Sequence, residues 1–309
     1  MQITNTILMI RPVNFRMNEQ TAVNNYFMED MDLQNQTINK KAQLEFDNFV
    51  VKLREKGVNV IVIDDNKESD TPDSIFPNNW ISFHANGTVG LYPMFAENRR
   101  NERRDDILDI LEEQGFAIES IMDYTSAEKE GVFLEGTGSI LMDRVHQKAY
   151  CALSERADEE LFIEFCEDFD CMPVIFKAYQ TVDGQRLPIY HTNVMMALGE
   201  DFAIICLDSI DDKKERKNVV DHLKQTDKEV ISITEEQMCH FAGNMLQVLG
   251  ADDKRYLVMS SAAFKSLDDE QIRKIEKHCA IIHSSLETIE TCGGGSARCM
   301  MAEVFLPRV

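Results

Sequence analysis

The sequence predicts an α/β protein built as a closed ring of five pseudo-symmetric units, a five-bladed α/β propeller formed by residues 1–309 as a single domain. Two observations predict it. A unit of polar start, short apolar run, turn and second apolar run occurs four times, with starts about every 50–60 residues, and the two chain ends carry the halves of a fifth. Units that cannot bury a face alone leave no open edge once they close on themselves. The alternative is an ordinary α/β chain whose hairpins recur by chance.

In chain order, the first half of the split unit is the apolar run at residues 6–11. The four complete hairpins begin at Asn79, Gly138, Asn193 and Asn244 and turn on Asn-Gly, on charged residues, or on Gly and Asp. The closing half-unit is the run at 298–306. Between hairpins, residues 103–113, 158–169, 211–224 and 268–277 have helical periodicity, and most follow an Asp, Ser or Thr able to cap them. The repeating unit is therefore a hairpin plus a helix. No Pro/Gly/Ser linker divides the chain.

Composition narrows the function. The 309 residues hold 54 Asp+Glu against 32 Lys+Arg, a net charge of −22, which repels nucleic acid and anionic lipid. No apolar stretch approaches the ~20 residues of a membrane span, and no signal peptide is visible, so a cytoplasmic location is expected. The eight cysteines form no CxxC pair and lie mostly in apolar runs, which predicts reduced thiols with neither a disulfide framework nor a metal site.

Polar clusters sit at the mouths of the predicted hairpins, where a ring would bring them to one end. Pro72 to Trp80 places Asp73, Asn78 and Asn79 beside Phe76 and the only tryptophan. Glu135 follows three apolar residues and precedes Gly-Thr-Gly, His191 opens a strongly apolar strand with Asn193 two residues on, and three glycines precede Cys299. Each alone has a plainer reading as a turn, a strand-end carboxylate, a hydrogen-bonded core histidine or a small core thiol. Among the cysteines, Cys299 is the best nucleophile candidate because a glycine run lets backbone amides approach a ligand, and Cys292 is second.

Taken in order, Asp73-Ser-Ile-Phe-x-x-Asn79, Leu134-Glu135-Gly136, His191-x-Asn193 and the glycine run ending at Cys299 resemble the pentein superfamily of guanidine-modifying enzymes. The likeness spans nearly the whole chain and is greatest to bacterial citrulline-utilisation hydrolases. It implies the pentein fold, a five-bladed α/β propeller. It also implies a hydrolase of carbon–nitrogen bonds without metal or cofactor, acting on a small amino acid. By the same resemblance Cys299 is the nucleophile, His191 the general acid/base and Glu135 the carboxylate that orients it. Asp73 would hold the substrate's α-amino group, and Arg99 and Arg156 its α-carboxylate, with Arg100 able to exchange with Arg99. A homodimer is compatible with the sequence.

Many relatives that process guanidines carry carboxylates where this chain has Asn78, Asn79 and Asn193. A guanidinium offers only donors, whereas a ureido group has a carbonyl acceptor as well as N–H donors, and carboxamides can serve both. The three asparagines therefore favour L-citrulline, hydrolysed to ornithine, carbon dioxide and ammonia. The alternatives are an arginine or dimethylarginine hydrolase, an amidinotransferase, and a non-catalytic pentein binding protein.

Overall fold

The computed structural model describes residues 1–309 and contains five three-stranded sheets. In the second sheet Ile81–Phe83 pairs antiparallel with Thr88–Leu91, which pairs parallel with Ser120–Asp123. Ile140–Asp143, Lys148–Ala152 and Met172–Phe176 repeat the pattern in the third. Met196–Leu198, Phe202–Ile205 and Glu229–Ser232 form the fourth, and Leu246–Leu249, Arg255–Ser260 and Ala280–Ser284 the fifth. The first sheet is the split one. Thr6–Arg11 pairs parallel with Asn59–Asp64 and antiparallel with Ala302–Glu303, with Leu8 opposite Ala302, so both chain ends share a sheet as ring closure requires.

The repeating unit is larger than hairpin plus helix. After each helix the chain adds an outer strand parallel to its neighbour, a connection that needs a dozen or more residues and is usually helical. These outer strands are hard to see in the sequence because they are short and partly exposed; Glu229–Ser232 holds only two apolar residues. The crossover of the first sheet is the helix Asn35–Glu55, whose Ile38, Ala42, Phe46, Phe49, Val50 and Leu53 make one buried face. An additional hairpin, Tyr179–Val182 with Gln185–Pro188, turns on Asp183 and Gly184, both at positive φ.

Helix starts follow the predicted capping. Asp158 accepts from Leu161 N, Asp212 from Lys214 N and Glu215 N, and Asp268 forms a capping box with Gln271. The helix expected at 103–113 begins only at Asp106–Glu113, because residues 97–102 form a 3-10 turn and Arg103 is extended. No helix is long and apolar enough to cross a membrane.

Three inner strands are each preceded by a tight, fully buried turn: Pro77–Asn79, Gly136–Ser139 and Thr192–Met195. Apolar packing between sheets fixes these turns; Tyr150 and Phe176 of the third sheet join Met196 and Ile204 of the fourth in one buried cluster. The polar mouths are thereby held by rigid elements.

Candidate active site

Asp73, Asn79, Arg99, Arg156, His191 and Cys299 line one narrow cavity of about 20 Å³, together with Thr21, Asn25, Phe76, Tyr190 and the glycines 293–295. That is room for about one water molecule. These six sequence-predicted residues are thus brought together from the surroundings of all five sheets.

Glu135 and His191 form the core of the cluster. Glu135 Oε2 lies 2.7 Å from His191 Nε2, Oε1 accepts from Phe95 N at 2.9 Å, and Arg156 stands 3.7 Å away. Burial alone would raise the Glu135 carboxyl, but the Arg156 charge and the bond to His191 hold it down at about 2. Burial pushes the His191 imidazole below its ordinary value against the opposing pull of Glu135. The resting pair is a carboxylate and a neutral imidazole, with Nε2–H donated to Glu135 and Nδ1 left without a protein partner.

Gly138 makes that packing possible. A Cβ there would stand 2.4 Å from Asn79 Nδ2 and 2.9 Å from His191 Nδ1. The glycine run acts similarly on the far wall. Gly294 sits at φ 59°, and a Cβ on Gly293 or Gly295 would meet the Phe76 ring within 3 Å. The Gly294 carbonyl accepts from Tyr190 Oη at 2.8 Å, and the Tyr190 ring lies under the Arg156 guanidinium.

Arg99 is buried. Its fork is bidentate to Glu102 at 2.9 Å, and Nη1 donates to Asn79 Oδ1 at 2.8 Å. Arg100 lies outside the cavity, against Met94 O and Glu128. Asp73 accepts through Oδ2 from Asn18 Nδ2 and Thr21 Oγ1, and its Oδ1 is buried without a partner. Arg156 donates to Asn24 Oδ1 and Thr21 O. Residues 18–25 therefore strap across the cavity by holding the two side chains expected at the substrate's α-amino and α-carboxylate groups.

The three asparagines divide. Asn79 lines the cavity and keeps a buried Nδ2 without a partner. Asn193 lies behind the thiol, Nδ2 at 3.5 Å from Cys299 Sγ, and Asn78 is fully buried outside the cavity lining with neither amide atom paired. Sequence reasoning missed Glu102, Tyr190, the strap and Asn244, whose Nδ2 is 3.2 Å from Cys299 Sγ. The one available signal for Asn244 was that it opens a hairpin as Asn79 and Asn193 do. All eight cysteines are free, and Cys239 is the exposed one. No cluster of three metal-ligating side chains is present.

Five hairpin–helix–strand units with a Cys, His and Glu gathered at their mouths define the pentein class. The chain belongs to the family described as N,N dimethylarginine dimethylhydrolase, eukaryotic, whose model matches residues 11–306. No curated protein matches the sequence.

Solved structures share the fold. The apo structure of ArgZ, an arginine dihydrolase from the ornithine–ammonia cycle in cyanobacteria, superposes with a TM-score of 0.74 at 17% identity over 98% of this chain and 41% of that one. The chain thus spans about two fifths of the length of full-length ArgZ. The product-bound N-terminal domain of ArgZ gives 0.73 at 18% identity over 98% and 99%. A dimethylarginine dimethylaminohydrolase variant in adduct with S-methyl-L-thiocitrulline gives 0.64 at 13% over 97% and 99%.

Proposed function

We propose that the chain, acting as one catalytic domain, hydrolyses L-citrulline to L-ornithine, carbon dioxide and ammonia. The observation that carries this reading is the orientation of Asn79. The Arg99 guanidinium can only donate, so Asn79 must turn Oδ1 to it, which leaves Nδ2 as an unpartnered donor at the cavity wall. A ureido oxygen satisfies that donor. A guanidinium cannot.

In this mechanism His191 takes the Cys299 thiol proton, and the thiolate attacks the ureido carbon as the carbonyl electron pair moves onto oxygen. Collapse breaks the bond to the ornithine δ-nitrogen, which leaves with the proton from His191. Water then attacks the S-carbamoyl carbon, losing a proton to His191. The carbon–sulfur bond breaks, and the released carbamate falls apart to carbon dioxide and ammonia. Glu135 stabilises the imidazolium at both stages. Asp73 Oδ1 is available to the α-amino group and Arg156 to the α-carboxylate, while Arg99, engaged by Glu102, fixes the Asn79 amide.

A second reading has one observation behind it. The carboxylates of Asp73, Glu102 and Glu135 outnumber the arginines Arg99 and Arg156 in the same buried cluster, an excess that suits a cationic arginine or dimethylarginine side chain. Incubation with L-citrulline, L-arginine and Nω,Nω-dimethylarginine separately, with ornithine, citrulline and ammonia quantified, decides between them. Ornithine and ammonia from citrulline alone, abolished by Cys299→Ser, is the expected result. Citrulline appearing from either arginine would transfer the assignment to the second reading.

A further inference from the structure

We propose that Asn244 is a further catalytic group, a fixed amide donor that holds the Cys299 sulfur and stabilises the charge it carries as a nucleophile. The proposal rests on Cys299 being the nucleophile, as above. Asn244 is 1% exposed, and every polar atom of its side chain is engaged. Nδ2 lies 3.2 Å from Cys299 Sγ and 3.0 Å from Asn193 O, while Oδ1 accepts from Arg298 N at 2.9 Å. These partners settle which way the amide faces. The Arg298 N–H can only donate and the Asn193 carbonyl can only accept, so Oδ1 must face the first and the NH2 group must face the second and the sulfur.

The backbone brings this donor to the thiol. A Cβ on the preceding Gly243 would stand 2.2 Å from Val194 O and 2.8 Å from Met195 C, so only glycine lets the mouth of the fifth sheet press on that of the fourth. Asn193, the other amide at the sulfur, sits further away at 3.5 Å and leaves its own Oδ1 unpartnered. Asn244 is the better anchored of the two. A hydrogen bond to an ionised acceptor is stronger than one to a neutral acceptor, so a donor already in place stabilises negative charge as it develops on the sulfur. Being uncharged, it does this without adding a third cation beside Arg99 and Arg156.

The charged and titratable groups around the sulfur are Asp73, Arg99, Arg156, Tyr190 and His191, with Glu135 behind His191; Arg298 is turned away to Glu303. None of these groups is a hydrogen-bond partner of the Asn244 side chain, so a change in thiol behaviour on substitution at 244 reports the lost donor. Asn244→Asp is the sharper variant, because it keeps the shape and the acceptor for Arg298 N while placing an oxygen at the sulfur. Asn244→Ala simply removes the donor.

The test is alkylation of each protein by iodoacetamide without substrate, followed across pH by mass spectrometry of the Cys299 and Cys239 peptides, with citrulline kinetics in parallel. At pH 7 the Cys299 rate is expected to fall about tenfold in Asn244→Ala and further in Asn244→Asp. Exposed Cys239 should react at the wild-type rate, kcat should fall with the Cys299 rate, and KM should stay within about threefold. Wild-type Cys299 rates and pH profile in either folded variant, or a loss confined to KM, would overturn the proposal. If the alanine variant does not fold, the isosteric aspartate decides alone. A wild-type chain that alkylates readily at Cys299 but leaves citrulline untouched overturns the substrate assignment while the comparison between variants still judges Asn244.

Discussion

At the scale of single residues the site depends on atoms that are missing as much as on those present. Gly138 leaves the space in which the Asn79 amide and the His191 ring meet. Gly138→Ala must displace the Asn79 amide by about 1 Å, at a stability cost of about 1–3 kcal/mol for overpacking. The chain should still fold, with kcat at least tenfold lower; a variant with wild-type kcat would show that the two side chains are not held by this contact. Asn79→Asp tests the pocket chemistry. The carboxylate would take the Arg99 contact and remove the free N–H, so the ratio of kcat/KM for citrulline to that for arginine should fall at least tenfold, and an unchanged ratio counts against a ureido oxygen at this position. Cys299, His191, Glu135 and Asp73 were legible in the sequence because unlike polar residues recurred at the mouths of apolar strands. Asn244 was not, since an asparagine opening a strand is ordinary turn chemistry and its sulfur partner lies 55 residues away.

Among elements, the hairpins and the Asp-capped helices were readable from alternation and capping, whereas the outer strands and the strap were not. The strap has no periodicity to read. Its Asn18, Thr21 and Asn24 become meaningful only against Asp73 and Arg156, which come from distant parts of the chain. The cavity has room for about one water, so it must widen for an amino acid to bind, and amide exchange across residues 18–25 should slow when ornithine is bound; unaltered exchange would place the route elsewhere. The helix Glu287–Gly293 delivers the glycine run, and Glu290 within it accepts from Ser296 Oγ at 2.6 Å. Burial raises the Glu290 carboxyl to about 7 despite its serine contacts. In the unfolded chain the same group titrates near its ordinary 4.5, so the native state holds a proton that the unfolded state has lost between those values, and stability falls as pH rises through that window. Glu290→Gln removes this dependence. Its melting temperature relative to wild type should be higher at pH 8 than at pH 5, and a constant difference would show that Glu290 does not keep its proton.

For the whole molecule, the recurrence that made the propeller readable also makes its last few residues indispensable. Ala302–Glu303 is a two-residue strand, yet it gives Thr6–Arg11 its antiparallel partner, and Val304 O accepts from Thr4 Oγ1 while Val304 N donates to Thr6 O. Ala302, Val304 and Leu306 are buried in one apolar cluster with Trp80, Ile81 and Phe83, so the tail seals the second sheet as well as the first. Burying side chains such as Val and Leu contributes about 1.5–3 kcal/mol each, and removing these two with their hydrogen bonds forfeits about 5 kcal/mol. Net stabilities of ~5–15 kcal/mol leave little after such a loss. Deleting residues 302–309 should therefore abolish cooperative unfolding and the near-ultraviolet signal of buried Trp80. Inserting two glycines after Asp183 lengthens a turn outside the five sheets and should cost only about 1 kcal/mol or less. A truncated chain that melts cooperatively within a few degrees of wild type would mean that the first sheet is stable with an open edge, and that closure serves only to carry Cys299 to its place.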